Sequence, residues 1–149
     1  MAKKTTWLTD DEAKTWRAFI FATQRVDEVL DRQLQRDAGM PHAYYSILAA
    51  LSDAPERTMR MSDLARAVRF SQSRLTHAVA SMERSGWLQR RACPDDKRSQ
   101  LVAMTRDGIT KMRAIAPGHV AEVRATIFDK LTVAQVTHLR EICETLLAD

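Results

Sequence analysis

Between Arg60 and Thr105 the chain compresses two short amphipathic segments, the turn between them and an Arg-rich hairpin into fewer than fifty residues, RMSDLARAVRFSQSRLTHAVASMERSGWLQRRACPDDKRSQLVAMT. Ser62 is placed to cap a helix whose inward positions are Leu64, Ala65 and Val68, after which the chain turns through Arg69 and Phe70. Ser71 is placed to cap a second helix, in which Leu75, Val79 and Met82 recur at intervals of four and three and form the buried stripe. The remaining faces carry Gln72, Ser73, Arg74, Thr76, His77, Ser81 and Arg84, almost all hydrogen-bonding side chains of modest length. Gly86 supplies the stop, because a left-handed backbone costs glycine little.

After the stop, Trp87 to Arg91 and Gln100 to Met104 can pair as a β-hairpin. Its connecting segment, Ala92 to Ser99, contains the turn formers Pro94, Asp95 and Asp96 and carries Lys97 and Arg98 at or near its tip. Two helices, a glycine stop and a hairpin in this order are the layout of a winged helix-turn-helix. A helix that enters the major groove needs donors and acceptors near its N-terminal half to read base edges. Ser71, Gln72, Ser73, Arg74, Thr76, His77 and Arg84 are the candidates for that role. An arginine at a hairpin tip suits a narrow minor groove, where negative potential is focused, which makes Arg90, Arg91, Asp96, Lys97 and Arg98 the candidate wing residues. Asp96 lies two residues before Arg98, so its carboxylate could hold the guanidinium extended or simply pair with a neighbour in solution.

Charge is concentrated in the same stretch. From Arg57 to Arg106 there are eleven basic side chains, ten of them Arg, against Asp63, Glu83, Asp95 and Asp96, a balance of +7. The other ninety-nine residues hold twelve basic and fifteen acidic side chains, so the net +4 of the chain hides a basic module. Such a footprint is expected where a surface must displace counterions from a phosphate backbone.

The segments RMSDLARAV, SQSRLTHAVASMERSGWLQRR and PDDKRSQLVAMT together resemble the winged-helix core of the MarR family of bacterial transcription regulators, including its Asp-x-Arg wing signature at Asp96 and Arg98. The resemblance runs over nearly the whole chain, since the flanking helices and the length also fit. It implies that Arg98 is the minor-groove wing residue, that Ser71 to His77 form the base-reading end of the recognition helix, and that Arg74 contacts a guanine edge. It implies a homodimer that binds double-stranded DNA, acting as a repressor. It further implies a small, often aromatic or phenolic effector held between the dimerisation helices and the winged helix. Trp16, Arg17, Phe19, Ile20, His42, Tyr44 and Tyr45 lie in the helices that would line such a pocket, although aromatic residues at helical spacing are ordinarily packing residues. His42 and Tyr45 stand out, since they flank the start of the second helix off its main stripe.

The flanks bear on assembly. Thr9 with Glu12 forms a capping box, followed at helical spacing by Trp16, Phe19, Ile20, Thr23, Val26, Leu30 and Leu34, and Gly39 ends the helix. Pro41 is suited to the first position of the next helix, whose stripe is Tyr44, Ile47, Leu48 and Leu51. Thr105 can cap a long helix marked by Ile109, Met112, Ile115 or Ala116, Val120, Val123 and Ile127, in which Pro117 and Gly118 predict a bend or break. A second box, Thr132 with Gln135, opens a last helix marked by Val136, Leu139, Ile142 or Cys143, Leu146 and Leu147. These ends are more apolar than a basic reading module can cover alone, and pairing them with the same helices of a second copy is the simplest way to bury them. The fold class expected is therefore mainly α with a small β-hairpin wing. Residues 1–149 form one domain, with dimerisation helices at 8–38 and 105–149 around a DNA-binding region at 41–104.

Other classes find little support. The start Met-Ala-Lys-Lys-Thr-Thr is polar, and no segment has the roughly eighteen uninterrupted apolar residues of a membrane span, so a cytoplasmic protein is expected. Cys93 and Cys143 form no C-x-x-C pair, and His42, His77, His119 and His138 are widely spaced, so no metal or other cofactor is expected. An exposed Cys93 in the wing would be open to oxidation, whereas Cys143 reads as packing. No Gly-rich phosphate loop or nucleophile–base pair points to an enzyme. The alternative from another class is a winged-helix interaction module that uses its basic face on an acidic protein partner.

Overall fold

The computed structural model describes residues 5–148; the start Met1-Ala2-Lys3-Lys4 and Asp149 lie outside them. Six helices and a three-stranded antiparallel sheet follow in the order expected, with one strand more than the hairpin alone provides. Helix α1, Asp10–Ala38, opens on the capping box: Thr9 Oγ1 accepts the Glu12 N–H at 3.2 Å and Glu12 accepts the Thr9 N–H at 2.7 Å. It ends at Gly39, whose φ of 64° lets its N–H reach back to the last carbonyls of the helix. Helix α2, His42–Asp53, has Pro41 as its N-cap and so lacks a capping side chain of its own. Asp31 of α1 supplies one, accepting the His42 N–H at 2.9 Å, and this bond ties the two helices together.

A single 3-10 turn at Pro55–Arg57 leads into strand β1, Thr58–Arg60, which the sequence reading missed. Three residues are too few to show an alternating pattern. Helix α3, Met61–Val68, leaves β1 directly with Arg60 at its N-cap and no capping side chain. Ser62, expected as the cap, is instead inside the first turn and exposed. Arg69 takes the left-handed turn, and α4, Gln72–Arg84, starts under Ser71, whose hydroxyl accepts the Arg74 N–H at 3.2 Å.

Strands β2, Leu88–Cys93, and β3, Asp96–Met104, are longer than expected, because only Pro94 and Asp95 are left for the turn. Strand β3 is the middle strand: it pairs with β2 through Leu88↔Met104 and Arg90↔Val102, and with β1 through Met59↔Val102 and Arg60↔Leu101. Lys97 and Arg98 are thus residues of β3 beside the turn rather than part of a loose tip. Cys93 is buried, 4% exposed, which removes the exposed wing thiol considered above.

Helix α5, Arg106–Thr126, is capped by Thr105 and runs unbroken through Pro117 and Gly118, against the break expected there. Proline lacks the N–H for one backbone bond, but Ile115 and His119 on either side of it are buried and hold the helix in place. A 3-10 turn, Phe128–Lys130, connects to α6, Val133–Leu147, which opens on the Thr132–Gln135 capping box.

The core is that of the winged helix-turn-helix. Leu34, Met40, Ile47, Leu48, Leu51, Leu64, Leu75, Val79, Met82 and Val102 are fully buried in one cluster. The outer stripes are not: of the α1 series only Leu30 and Leu34 are buried, and α6 has no buried residue. Trp7, Trp16, Phe19, Phe21, Ile142, Leu146 and Leu147 stand exposed. No helix among the described residues is long and apolar enough to cross a membrane.

Candidate nucleic-acid interface

Burial of Leu75, Ala78, Val79 and Met82 fixes which way α4 faces. Ser71, Gln72, Ser73, Arg74, Thr76, His77 and Arg84, all the expected reading residues, are left exposed. They are not equally free. The Ser71 hydroxyl is committed to the cap, and the Thr76 hydroxyl donates to the Gln72 carbonyl at 2.8 Å. The Arg74 guanidinium lies 3.9 Å from the centroid of the Phe70 ring, a cation–π contact that orients the side chain at the N-terminal end of α4. Gln72, Ser73 and His77 keep side-chain polar atoms that hold no backbone group.

The wing residues divide in the same way. Arg91, Lys97 and Arg98 are exposed, as is Asp96, but Arg90 is half-buried. Its Nε donates to Glu83 Oε2 at 2.7 Å and its backbone N–H to Glu83 Oε1 at 3.0 Å, so its side chain faces the last turn of α4. Asp96 engages neither guanidinium: it accepts the Arg98 backbone N–H at 2.9 Å and the Ser99 hydroxyl at 2.7 Å. Those two hydrogen bonds, with a smaller contribution from the charge of Arg60, hold its carboxyl below the usual range and keep it ionised. The order it imposes is on the backbone at Arg98, which leaves the Arg98 side chain unpaired among the described residues.

Helix and wing meet at a cleft of about 310 Å³ lined by Arg60, Met61, Ser62, Gln72, Thr76, Arg98, Ser99 and Gln100. Arg60, Ser62 and Gln100 were not among the expected site residues. Gln100 lies on β3, and Arg60 and Ser62 reach the cleft because β1 pairs beside β3 and hands the chain straight to α3; no pattern in the sequence announces a three-residue strand. Two arginines, three hydroxyls and two amides around one opening make a donor-rich, cationic surface suited to phosphate oxygens and base edges.

The residues expected to line an effector pocket do not share one cavity. Phe19 lines an apolar cavity of about 560 Å³ between α1, the end of α5 and α6, alongside Val26, Ile127, Leu139 and Cys143. His42 lines a different one of about 600 Å³, between α1, α2 and the α3–α4 turn, with Asp27, Asp31, Ser46, Phe70 and Arg74. Trp16 and Arg17 are exposed on α1, Ile20 and Tyr44 are half-buried, and Tyr45 belongs to the core cluster. Burial, and secondarily the charge of Asp53, pushes the Tyr45 hydroxyl above its ordinary pKa. Tyr45 packs on His119, a buried residue the sequence reading set aside, with ring centroids 4.0 Å apart; the His42 ring is 5.5 Å from it. His119 Nδ1 is 3.0 Å from Gln33 Oε1, and the same amide donates through Nε2 to Asp37. Because Gln33 Nε2 is the donor to a carboxylate, its Oε1 must accept from His119, which places the imidazole proton on Nδ1.

Comparison with known proteins rests on the same region and then extends beyond it. The model of the MarR family matches residues 38–99, from the end of α1 through the wing turn. Sco3205 of Streptomyces coelicolor, a MarR family transcriptional regulator solved in complex with DNA, is 46% identical, with 97% of this chain and 91% of that one superposed at a TM-score of 0.94. The chain belongs to the MarR family. AbsC, a second MarR family regulator of S. coelicolor, is 37% identical over 95% of this chain and 98% of its own, at a TM-score of 0.89. The HTH-type transcriptional regulator PapX of Escherichia coli is 23% identical over 111 residues, and the match spans 74% of this chain but only 58% of PapX. The chain thus spans little more than half the length of the curated relatives it matches first, while covering nearly all of the two Streptomyces structures.

Proposed function

We propose that this MarR family chain is a sequence-specific, double-stranded-DNA-binding transcription regulator that acts as a homodimer on a pseudo-palindromic operator. The observation that carries the proposal is the cleft between α4 and the wing, where Gln72, Thr76, Arg98 and Arg60 face one opening beside the exposed end of the recognition helix. The geometry matches the demands of the duplex: side chains of modest length for the major groove, an unpaired arginine on a strand for the minor groove, and a local excess of positive charge for the backbone. Sco3205, similar over nearly the full chain, was solved on DNA. In the assignment of roles, Gln72, Ser73, Arg74 and His77 read bases, Ser71 caps, Arg84 and Arg91 meet backbone, and Lys97 and Arg98 enter the minor groove.

The dimer is supported by the apolar side chains left exposed on α1 and α6, which a second copy would cover. Two recognition helices would then sit roughly 34 Å apart, one turn of DNA. We assign the regulator as a repressor, released when a small molecule fixes an unsuitable separation of its two reading heads. The two cavities on α1 are the places for that molecule, and a coupling free energy of about 1–3 kcal/mol would change operator occupancy substantially.

Selection of binding sites from a random duplex library at near-physiological salt tests this reading. Recovery of a pseudo-palindrome with half-sites about ten base pairs apart, bound about a thousandfold tighter than a scrambled duplex, is the expected result. Steep salt dependence without sequence preference would overturn it in favour of an acidic protein partner for the basic face.

A further inference from the structure

We propose that Glu83 and Arg90 form a positioning pair that sets the wing on the recognition helix, so that Arg90 acts on DNA through Arg98 rather than by touching it. This rests on the reading of the wing as a DNA-contacting element. Glu83 sits in the last turn of α4, and both of its carboxylate oxygens are used by one residue of β2: Oε1 by the Arg90 N–H at 3.0 Å and Oε2 by Arg90 Nε at 2.7 Å. The two side chains are 27% and 31% exposed, so the pair is shielded enough for its geometry to be held, unlike the surface pair Arg36–Asp37. Among the described residues, no other side chain of α3 or α4 hydrogen-bonds to the sheet.

The corner between them is otherwise built around Gly86 and Trp87. Gly86 at φ 77° reverses the chain, the Trp87 N–H donates to the Met82 carbonyl, and the Thr105 hydroxyl donates to the Gly86 carbonyl. These bonds fix where the corner lies; the Glu83–Arg90 pair fixes the angle at which β2 leaves it. Arg90 is registered with Val102, and Arg98 lies four residues further along β3, a lever of about 13 Å. A rotation of about 5° at the base would move the wing arginine by about 1 Å over that lever, more than a hydrogen bond tolerates. Neither residue need approach the duplex for the pair to govern how well the wing fits it.

The test measures binding to the selected operator and to a scrambled duplex by fluorescence anisotropy, for Glu83→Gln, Arg90→Lys and Arg98→Ala singly and with Arg98→Ala combined with each of the others. Circular dichroism establishes that each variant is folded at the assay temperature. Arg90→Lys keeps a cation for phosphate but loses the Nε donor and its planar geometry. Expected are losses of about tenfold in operator affinity for Glu83→Gln and for Arg90→Lys, an unchanged salt slope, and less than about twofold further loss when either is added to Arg98→Ala. Parent-like binding by Arg90→Lys, or effects that multiply in full with that of Arg98→Ala, would overturn the proposal. Should Glu83→Gln fail to fold, Arg90→Lys alone decides it. If Arg98→Ala itself binds like the parent, it is the wing assignment that fails, together with this inference.

Discussion

Arg98 and Arg74 occupy different electrostatic situations, and the difference predicts different phenotypes. Arg98 is exposed, without an ion-pair partner among the described residues, and held through its backbone by Asp96. On the proposed function, Arg98→Ala weakens binding to operator and non-operator DNA alike and lowers the slope of log affinity against log salt by about one. Arg74 is oriented over Phe70 at the reading end of α4, so Arg74→Ala costs about 1–3 kcal/mol at one base pair per half-site and relaxes selectivity there. Affinity measured over a series of salt concentrations and single-base operator variants separates the two; parent-like behaviour of both would remove the assignment of helix and wing. At this scale the sequence made residue identity legible but not the bonding atom. Arg98, Asp96 and Arg74 could be picked out from their spacing, yet whether Asp96 holds a guanidinium or a backbone N–H is decided by the two-residue turn at Pro94-Asp95, whose length the composition alone left open. Arg90 was placed with the wing for its charge, and only the fold turns it back to Glu83.

Elements were legible where capping chemistry and long periodicity agree, as at Thr9, Ser71, Thr105 and Thr132, each of which caps the helix expected of it. They were not legible where packing alone decides: β1 exists because β3 offers it an edge, and α5 survives Pro117 because its flanks are buried. The junction of wing and α5 shows how tightly packing decides. Gly108 is buried in the first turn of α5, and a Cβ there would lie 2.2 Å from the Trp87 carbonyl oxygen and 2.8 Å from Met104. The oxygen is backbone and accepts the Thr105 N–H, so it cannot swing aside without loosening the corner. Despite the higher helix propensity of alanine, Gly108→Ala is expected to destabilise the protein by about 1–3 kcal/mol through this overlap. Urea denaturation measures it, and a midpoint equal to or above the parent's would show that the corner yields.

Across the whole molecule, the side-chain hydrogen bond that spans the longest stretch of sequence among the described residues joins His119 of α5 to Gln33 of α1, with Tyr45 and His42 of α2 against the imidazole. These three helices link the apolar ends of the chain to the reading module, so the protonation of His119 bears on both. Burial, then the nearby His42, lowers the pKa of His119 below 6.5, against a smaller opposing effect of Glu122. The unfolded chain therefore takes up the proton more readily than the folded one. It follows that the contribution of this site is fully present well above pH 6.5 and is lost as pH falls through 6.5 toward the lower folded value. The carboxylates of Glu12, Asp37 and Asp96 have lowered pKa values and lose their contribution only in more acidic solution. Urea midpoints taken between about pH 5 and pH 8 thus stay above the range of these carboxylates. The parent is expected to lose stability over that range, and His119→Gln, which can still donate to Gln33 but does not titrate, is expected to lose less. Equal slopes in the two proteins would mean that the junction accommodates the charge. If the dimer is built on α1 and α6 as proposed, Ile142→Glu, on the exposed apolar face of α6, shifts light-scattering mass from two chains to one. It also makes operator affinity fall with the dimer while the pH response of His119, internal to one chain, persists. A variant that stays dimeric would place the interface elsewhere. One that loses the pH response on becoming monomeric would mean that the partner, not the buried contacts of a single chain, sets the environment of the imidazole.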